Sequence, residues 1–311
     1  MNCITSFKLF NNLFILIYIL YHIISYLIIY NMKECVIFFN CHGSQIQQQL
    51  LQSDIFKKMY NIKIIFSPNY LPKHKYENLD ELTNEHKEII QNADLVILQY
   101  IKNSTRKVIH HDYIKTLIKK DATVILIPHY SFSGYYYPYD FLQDDNINVN
   151  KTKEELQTYI NNLLKDKKED IIKHMNDNLE HIRKLDELCD IKCYDFIKNN
   201  YKKHNLFYNR SYPTSILFHH MVKQILQILN IDNNIKRIVS NYARDNQNII
   251  YPQVKKILGL QFNIRFNIKC NIIEYIMCCK MNNVKELTIK RKSQSISIIC
   301  LHKLIKDKTY R

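Results

Sequence analysis

Cys35-Val36-Ile37-Phe38-Phe39-Asn40-Cys41-His42-Gly43-Ser44-Gln45 is the stretch whose reading decides the fold. A short run of apolar, β-branched and aromatic residues predicts a buried strand. It stops at Asn40, passes a thiol, an imidazole and one of only three glycines, and opens into a helical pattern. Strand, tight turn and helix follow. Ser44 with Gln47 has the spacing of a capping box and places the helix start at Ser44. The unpaired N–H groups and positive dipole end of such a helix favour a thiolate or a bound anion beside Cys41. A lone cysteine also fits as a small buried hydrophobe. The neighbouring His42 and Gly43, at a strand's carboxyl end, keep the reactive reading open beside the bland one.

Outward from that stretch the pattern alternates from Met32 to about His129. The first helix carries Ile46, Leu50, Leu51, Ile55, Phe56 and Met59 on its apolar face. A second strand, Ile62 to Phe66, ends in Ser67-Pro68-Asn69, and a helix over Leu79 to Ile90 follows. The third strand, Leu95 to Leu98, runs into Gln99-Tyr100 and is followed by a helix near Tyr113 to Lys119. The fourth, Thr123 to Ile127, ends in Pro128-His129-Tyr130. Apolar strands separated by helices predict an α/β fold: a Rossmann-like parallel sheet of about four strands with helices on both faces. Right-handed crossovers then put Cys41, His42, Gly43, Ser67, Asn69, Gln99, His129 and Tyr130 on the carboxyl edge, where open α/β sheets bind ligands.

The loop Tyr130 to Asp140 is rich in tyrosine and holds Ser133, Gly134 and Tyr135. It suits the wall of a sugar or nucleotide pocket, or equally a packed surface loop. Beyond Asn146 the chain reads as mainly helical: Lys151 to Lys165, Ile171 to Cys189, Tyr194 to Tyr201, an apolar helix whose first turn takes Pro213, and a last helix from Pro252 toward Gly259. Residues 1–31 form a hydrophobic leader in which Leu13 to Tyr30 is just long enough to span a bilayer. It reads as a single retained anchor on a reduced, cytoplasmic catalytic domain, or as an upstream extension of a cytoplasmic protein that starts at Met32. Residues 32–262 are the functional domain, with an α/β part at 32–146 and a helical part at 147–262. Residues 263–311 are a basic extension.

The net charge of +15 suits an acidic partner such as a phosphorylated cofactor or an anionic membrane. Nucleic acid is not expected, because no recognition motif accompanies the basic tail. The nine cysteines are an odd number without regular spacing, which predicts reduced thiols and no metal.

Four motifs in order resemble the WcbI family of polysaccharide biosynthesis enzymes. They are Asn40-Cys41-His42 after the first strand, Asp94-Leu95-Val96-Ile97-Leu98-Gln99, Ile127-Pro128-His129 with Gly134-Tyr135-Tyr136-Tyr137-Pro138, and Arg210-Ser211-Tyr212-Pro213-Thr214 heading a helix. The similarity runs from about Lys33 to Phe262. Two positions depart from it, His42 where the family has Gln and Tyr212 where it has His. The resemblance implies a protein that binds coenzyme A or acetyl-coenzyme A and transfers an acetyl group to a polysaccharide or sugar precursor. Such chemistry needs a base, oxyanion donors and a groove for phosphates. Cys41, His42 and His129 are the catalytic candidates, with His42 or His129 as base and Cys41 as a possible covalent acyl carrier. Asn40, Gly43, Ser44, Gln99, Tyr130, Ser133, Gly134, Tyr135, Arg210 and Tyr212 are the binding candidates. Lys223 and Arg237 join Arg210 as phosphate contacts on charge alone. A Cys/His esterase or deacetylase using Cys41 with His129, and a non-catalytic membrane-tethered binding protein, are the rival readings.

Overall fold

The computed structural model describes residues 32–66, 82–101, 110–137, 153–239 and 250–262. The leader, Ser67-Pro68-Asn69, the end of the tyrosine-rich loop from Pro138 and the basic extension lie outside them. The described chain divides into two compact units. One takes the residues up to Ile125 with Ile225–Lys236, and the other takes Leu126–Gln224 and the residues from Arg237.

The first unit is organised on β1 (Lys33–Phe39), whose residues from Cys35 to Phe39 are at most 2% exposed. It lies in a four-stranded sheet of order β2-β1-β3-β4, with β2 at Tyr60–Phe66, β3 at Leu95–Tyr100 and β4 at Thr123–Pro128. β1 is parallel to both neighbours, from Lys33 opposite Tyr60 to Phe39 opposite Phe66, and from Cys35 opposite Leu95 to Phe38 opposite Leu98. A strand paired on both sides and covered on both faces has no polar position to offer, which is why β1 is apolar from Cys35 to Phe39, its charged Lys33 and Glu34 lying at the less buried start. β2, at the sheet's edge, is less buried and exposes Asn61 and Lys63.

The helices are α1 (Gly43–Leu50), α2 (Asp54–Met59), α3 (Asn84–Gln91) and α4 (His111–Leu117). The single helix expected from Ser44 to Met59 is two. The break falls at Ser53, which is extended and whose hydroxyl accepts the Phe56 N–H at 3.2 Å, so an internal N-cap outweighs the continuous apolar pattern. Thr83 caps α3 in the same way, accepting the His86 N–H at 3.1 Å.

Asp94 fastens the sheet's amino edge. Its backbone N–H donates to the Glu34 carbonyl at 2.8 Å, and its own carbonyl accepts the Thr123 N–H at 2.9 Å. The carboxylate accepts the Glu34 N–H at 2.8 Å and the Lys119 ammonium at 2.6 Å. One residue thereby joins β1, β3 and the start of β4.

The second unit contains α5 (Lys153–Leu164), α6 (Lys168–Asp186), α7 (Tyr194–Asn200), the antiparallel pair β5 (Phe207–Asn209) and β6 (Tyr212–Pro213), and α9 (Pro252–Leu258). α8 (Ser215–Ile228) enters this unit and finishes in the other. Phe132 stacks on Phe207 with centroids 4.7 Å apart and meets Tyr135 edge-on at 5.0 Å. Gly134 lies against this cluster: a Cβ there would come within 2.7 Å of the Phe132 ring and 2.9 Å of the Met175 sulphur. Pro213, expected in the first turn of a helix, is instead buried in β6, and the helix begins at Ser215. α9 follows its sequence signals, with Pro252 at N1 and Gly259 closing the helix at φ 66°. Among the described residues no helix is long and apolar enough to cross a membrane.

The Lys119 hydrogen bond, outweighing burial, holds the Asp94 carboxyl below its ordinary 3.8. Its stabilisation is therefore present above that value and lost as pH falls through the lowered one. Asp94→Ala is expected to cost about 1 kcal/mol in urea unfolding at neutral pH. The gap to wild type should close in strong acid. A gap that persists there contradicts the assignment.

Candidate functional site

At the carboxyl end of β1 the chain leaves the sheet through a turn built by its own polar groups. The Asn40 N–H, beyond the last β1–β3 pair, donates to the Gln99 side-chain oxygen at 3.1 Å. The Asn40 side-chain oxygen accepts the His42 N–H at 2.9 Å, and its carbonyl accepts the Gly43 N–H at 3.0 Å. Asn40, His42, Gly43 and Gln99 are all buried. An Asn side chain that mimics the backbone closes the turn early. α1 consequently starts at Gly43 with His42 as its N-cap residue, and the helix makes no use of Ser44 as a cap. The expected capping box with Gln47 is absent for that reason. Gly43 is needed by contact: a Cβ would lie 3.0 Å from the Phe39 Cβ and 3.3 Å from an Ile37 methyl.

This arrangement brings Asn40, Cys41, His42, Gly43, Ser44 and Gln99 together. The Gly43 N–H is already bonded to the Asn40 carbonyl and is not free to bind an oxyanion or phosphate. The Ser44 N–H donates to no described residue, and Ser44 is half-buried. Cys41 is half-buried, whereas Cys35, Cys189 and Cys193 are buried, so among the described cysteines it alone reaches solvent. Burial pushes its thiol above the ordinary 9.0, against the opposing pull of the Cys41 and His42 N–H groups. Loss of water outweighs the pull of these two N–H groups, so the thiol is favoured over the thiolate.

The other candidates belong to the second unit. His129 is half-buried, and burial lowers its pKa, so the ring is neutral at pH 7. Tyr130 and Tyr135, expected to wall a pocket, are core residues at 1% and 0% exposure. The Tyr130 hydroxyl donates to Asp186 at 2.7 Å, and that of Tyr135 donates to the Tyr201 carbonyl at 3.0 Å. Asp186 also accepts the Tyr194 N–H at 2.6 Å, and burial holds its carboxyl above the ordinary range despite both bonds. Gly134 serves the same core. Arg210 is exposed in the turn between β5 and β6, where its carbonyl accepts the Phe132 N–H at 2.7 Å. Tyr212 is in β6, paired with Asn209.

Ser133 has partners that the sequence did not signal. Its N–H and hydroxyl both meet the Asn178 side-chain oxygen, at 2.8 and 3.1 Å. The His174 Nε2 lies 3.3 Å from the hydroxyl but 2.9 Å from the Ser133 carbonyl. A carbonyl only accepts, so Nε2 carries the proton and is no base for that serine. His174 and Asn178 stand four apart on α6, a spacing that reads as ordinary surface.

Fold and turn define a class: a Rossmann-like α/β protein that presents a half-exposed thiol and a helix start at the carboxyl edge of a central strand. The chain belongs to the WcbI family, whose pattern, described as polysaccharide biosynthesis enzyme WcbI, matches residues 34–234. A solved structure of WcbI, described as a novel polysaccharide biosynthesis enzyme in its native form without a disulfide bond between coenzyme A and one of its cysteines, is similar in fold. The TM-score is 0.59 at 14% identity, covering 80% of this chain and 89% of that one. No protein of curated function matches.

The raised thiol pKa predicts slow alkylation of Cys41 by iodoacetamide at neutral pH, rising with a midpoint above 9.0. Peptide mass spectrometry across a pH series measures it. A midpoint at or below that of an exposed cysteine in a short peptide alkylated alongside contradicts the burial argument.

Proposed function

We propose that this chain is an acyltransferase that takes an acyl group, acetyl in the simplest case, from a coenzyme A thioester to a polysaccharide or sugar precursor. The observation that carries the reading is Cys41, the one described cysteine open to solvent, set in the turn of the family's first motif. The relative described with coenzyme A and a cysteine supports the cofactor. Coenzyme A, when bound, supplies the activated acyl group as a thioester.

The residues of the turn suit the remaining tasks. The Ser44 N–H, in the first turn of α1, offers a fixed donor to negative charge on a carbonyl oxygen or a phosphate. A thiol held protonated at neutral pH is a weak nucleophile, which favours direct transfer over an acyl group carried on Cys41. A neutral imidazole suits the role of base, and His42 adjoins the thiol in sequence. The leader, if retained, would tether this activity to a membrane with the domain on its reduced side. Translation from Met32 would leave it in the cytoplasm.

Thermal unfolding of the full chain with coenzyme A tests the reading. A ligand at a hundredfold excess over its dissociation constant adds about 2.7 kcal/mol, a rise of about 5 to 10 °C for a domain of this size. Intact mass after acetyl-coenzyme A should be unchanged. An acyl adduct lost in Cys41→Ser replaces direct transfer by the covalent route. Absence of any thermal shift, with ester cleavage that needs no thioester, overturns the transferase reading in favour of the esterase.

A further inference from the structure

His110, His111 and Asp112 follow β3 on the strand's carboxyl side, in the same unit as Cys41, and open α4. The His111 Nδ1 lies 3.0 Å from the Ile101 carbonyl, two residues beyond Gln99. A carbonyl only accepts, so Nδ1 carries the proton and Nε2 presents a lone pair. That lone pair faces Asp112 Oδ1 at 3.3 Å. The His110 Nδ1 accepts the Asp112 N–H at 3.3 Å, which uses its one in-plane lone pair, and it lies 3.4 Å from Asp112 Oδ2. The neutral His111 ring thus sets its Nε2 lone pair against a carboxylate oxygen, beside a second imidazole stacked on it with centroids 4.6 Å apart.

A cation between the His111 lone pair and the carboxylate satisfies both, and His110 stands beside them as a third ligand. We propose that His110, His111 and Asp112 form a binding site for a divalent transition-metal ion of the zinc type. Their ligand atoms all lie within 4.8 Å of one another. Bonds of about 2.0–2.1 Å in a tetrahedral site separate adjacent donors by about 3.3 Å, which matches the 3.3 Å between the His111 Nε2 and Asp112 Oδ1. The Ile101 carbonyl holds the His111 ring as outer partners hold metal-bound imidazoles elsewhere. Two imidazoles and a carboxylate suit zinc, cobalt or nickel rather than calcium or magnesium. Three protein ligands leave a fourth position open, and the Asp112 side chain, 70% exposed, keeps it accessible.

The test uses the untagged full chain, stripped with a chelator and titrated with Co2+ and with Zn2+. One equivalent of Co2+ should bind with visible bands of a nitrogen- and oxygen-ligated ion, and Zn2+ should displace it. His111→Gln and Asp112→Asn should each weaken binding by at least about tenfold and abolish the rise in melting temperature with Zn2+. Asp112→Glu should restore part of the affinity. Exposure of Asp112 makes Asp112→Asn safe for the fold, and its metal-free melting temperature should match wild type. Unchanged affinity in both variants overturns the site. So do sulphur-to-cobalt charge-transfer bands that vanish in Cys41→Ser, which would put the ion on the thiol.

Discussion

The hydrogen bond from the Asn40 N–H to the Gln99 side chain is the constraint on which the rest depends. The ladder between β1 and β3 ends at Phe38 and Leu98, yet the next residues are still buried. A buried backbone donor without a partner costs about 1–3 kcal/mol, and Gln99 supplies the acceptor that the ladder no longer does. Asn40 then passes the duty on, taking the N–H groups of His42 and Gly43 with its side chain and carbonyl. Cys41 is the residue left between these fixed points. Its position is set by its neighbours' bonds rather than by its own.

That construction has chemical consequences. The turn's own hydrogen bonds hold the half-buried thiol and the Ser44 N–H in place, so a ligand bound there, as proposed, would meet groups already ordered. The same burial denies Cys41 the charge that a helix start would otherwise promote, so the turn suits holding a group in place more than attacking it. Asp94 stands at the other end of the strand segment that bears Gln99 and ties the sheet's opposite edge. The two ends of one motif thus fasten opposite edges of the sheet.

The strands were legible because their side chains have to satisfy one rule, burial on both faces, that a sequence states directly. Helix starts were less so. Ser44 looks like a cap, but whether a serine caps depends on how the preceding turn closes, and here Asn40 closes it a residue sooner. Ser53 interrupts a face whose periodicity continues unbroken. Tyr130 and Tyr135 show a further limit: an aromatic that walls a pocket and one that fills a core have the same composition, and only Asp186, 56 residues from Tyr130, distinguishes them. Nothing in the sequence singles out the histidines at 110 and 111, because three adjacent residues have no ligand spacing to announce them. Their meaning comes from the Ile101 carbonyl, which fixes a tautomer.

Hydrogen–deuterium exchange of the full chain with and without coenzyme A tests the central claim most directly, since it reports on each segment's amides separately. If the turn after β1 is the ligand site, protection should rise in the peptide spanning Asn40 to Ile46 and in that carrying Gln99. Protection confined to other segments, with Asn40 to Ile46 unchanged at saturating ligand, contradicts it.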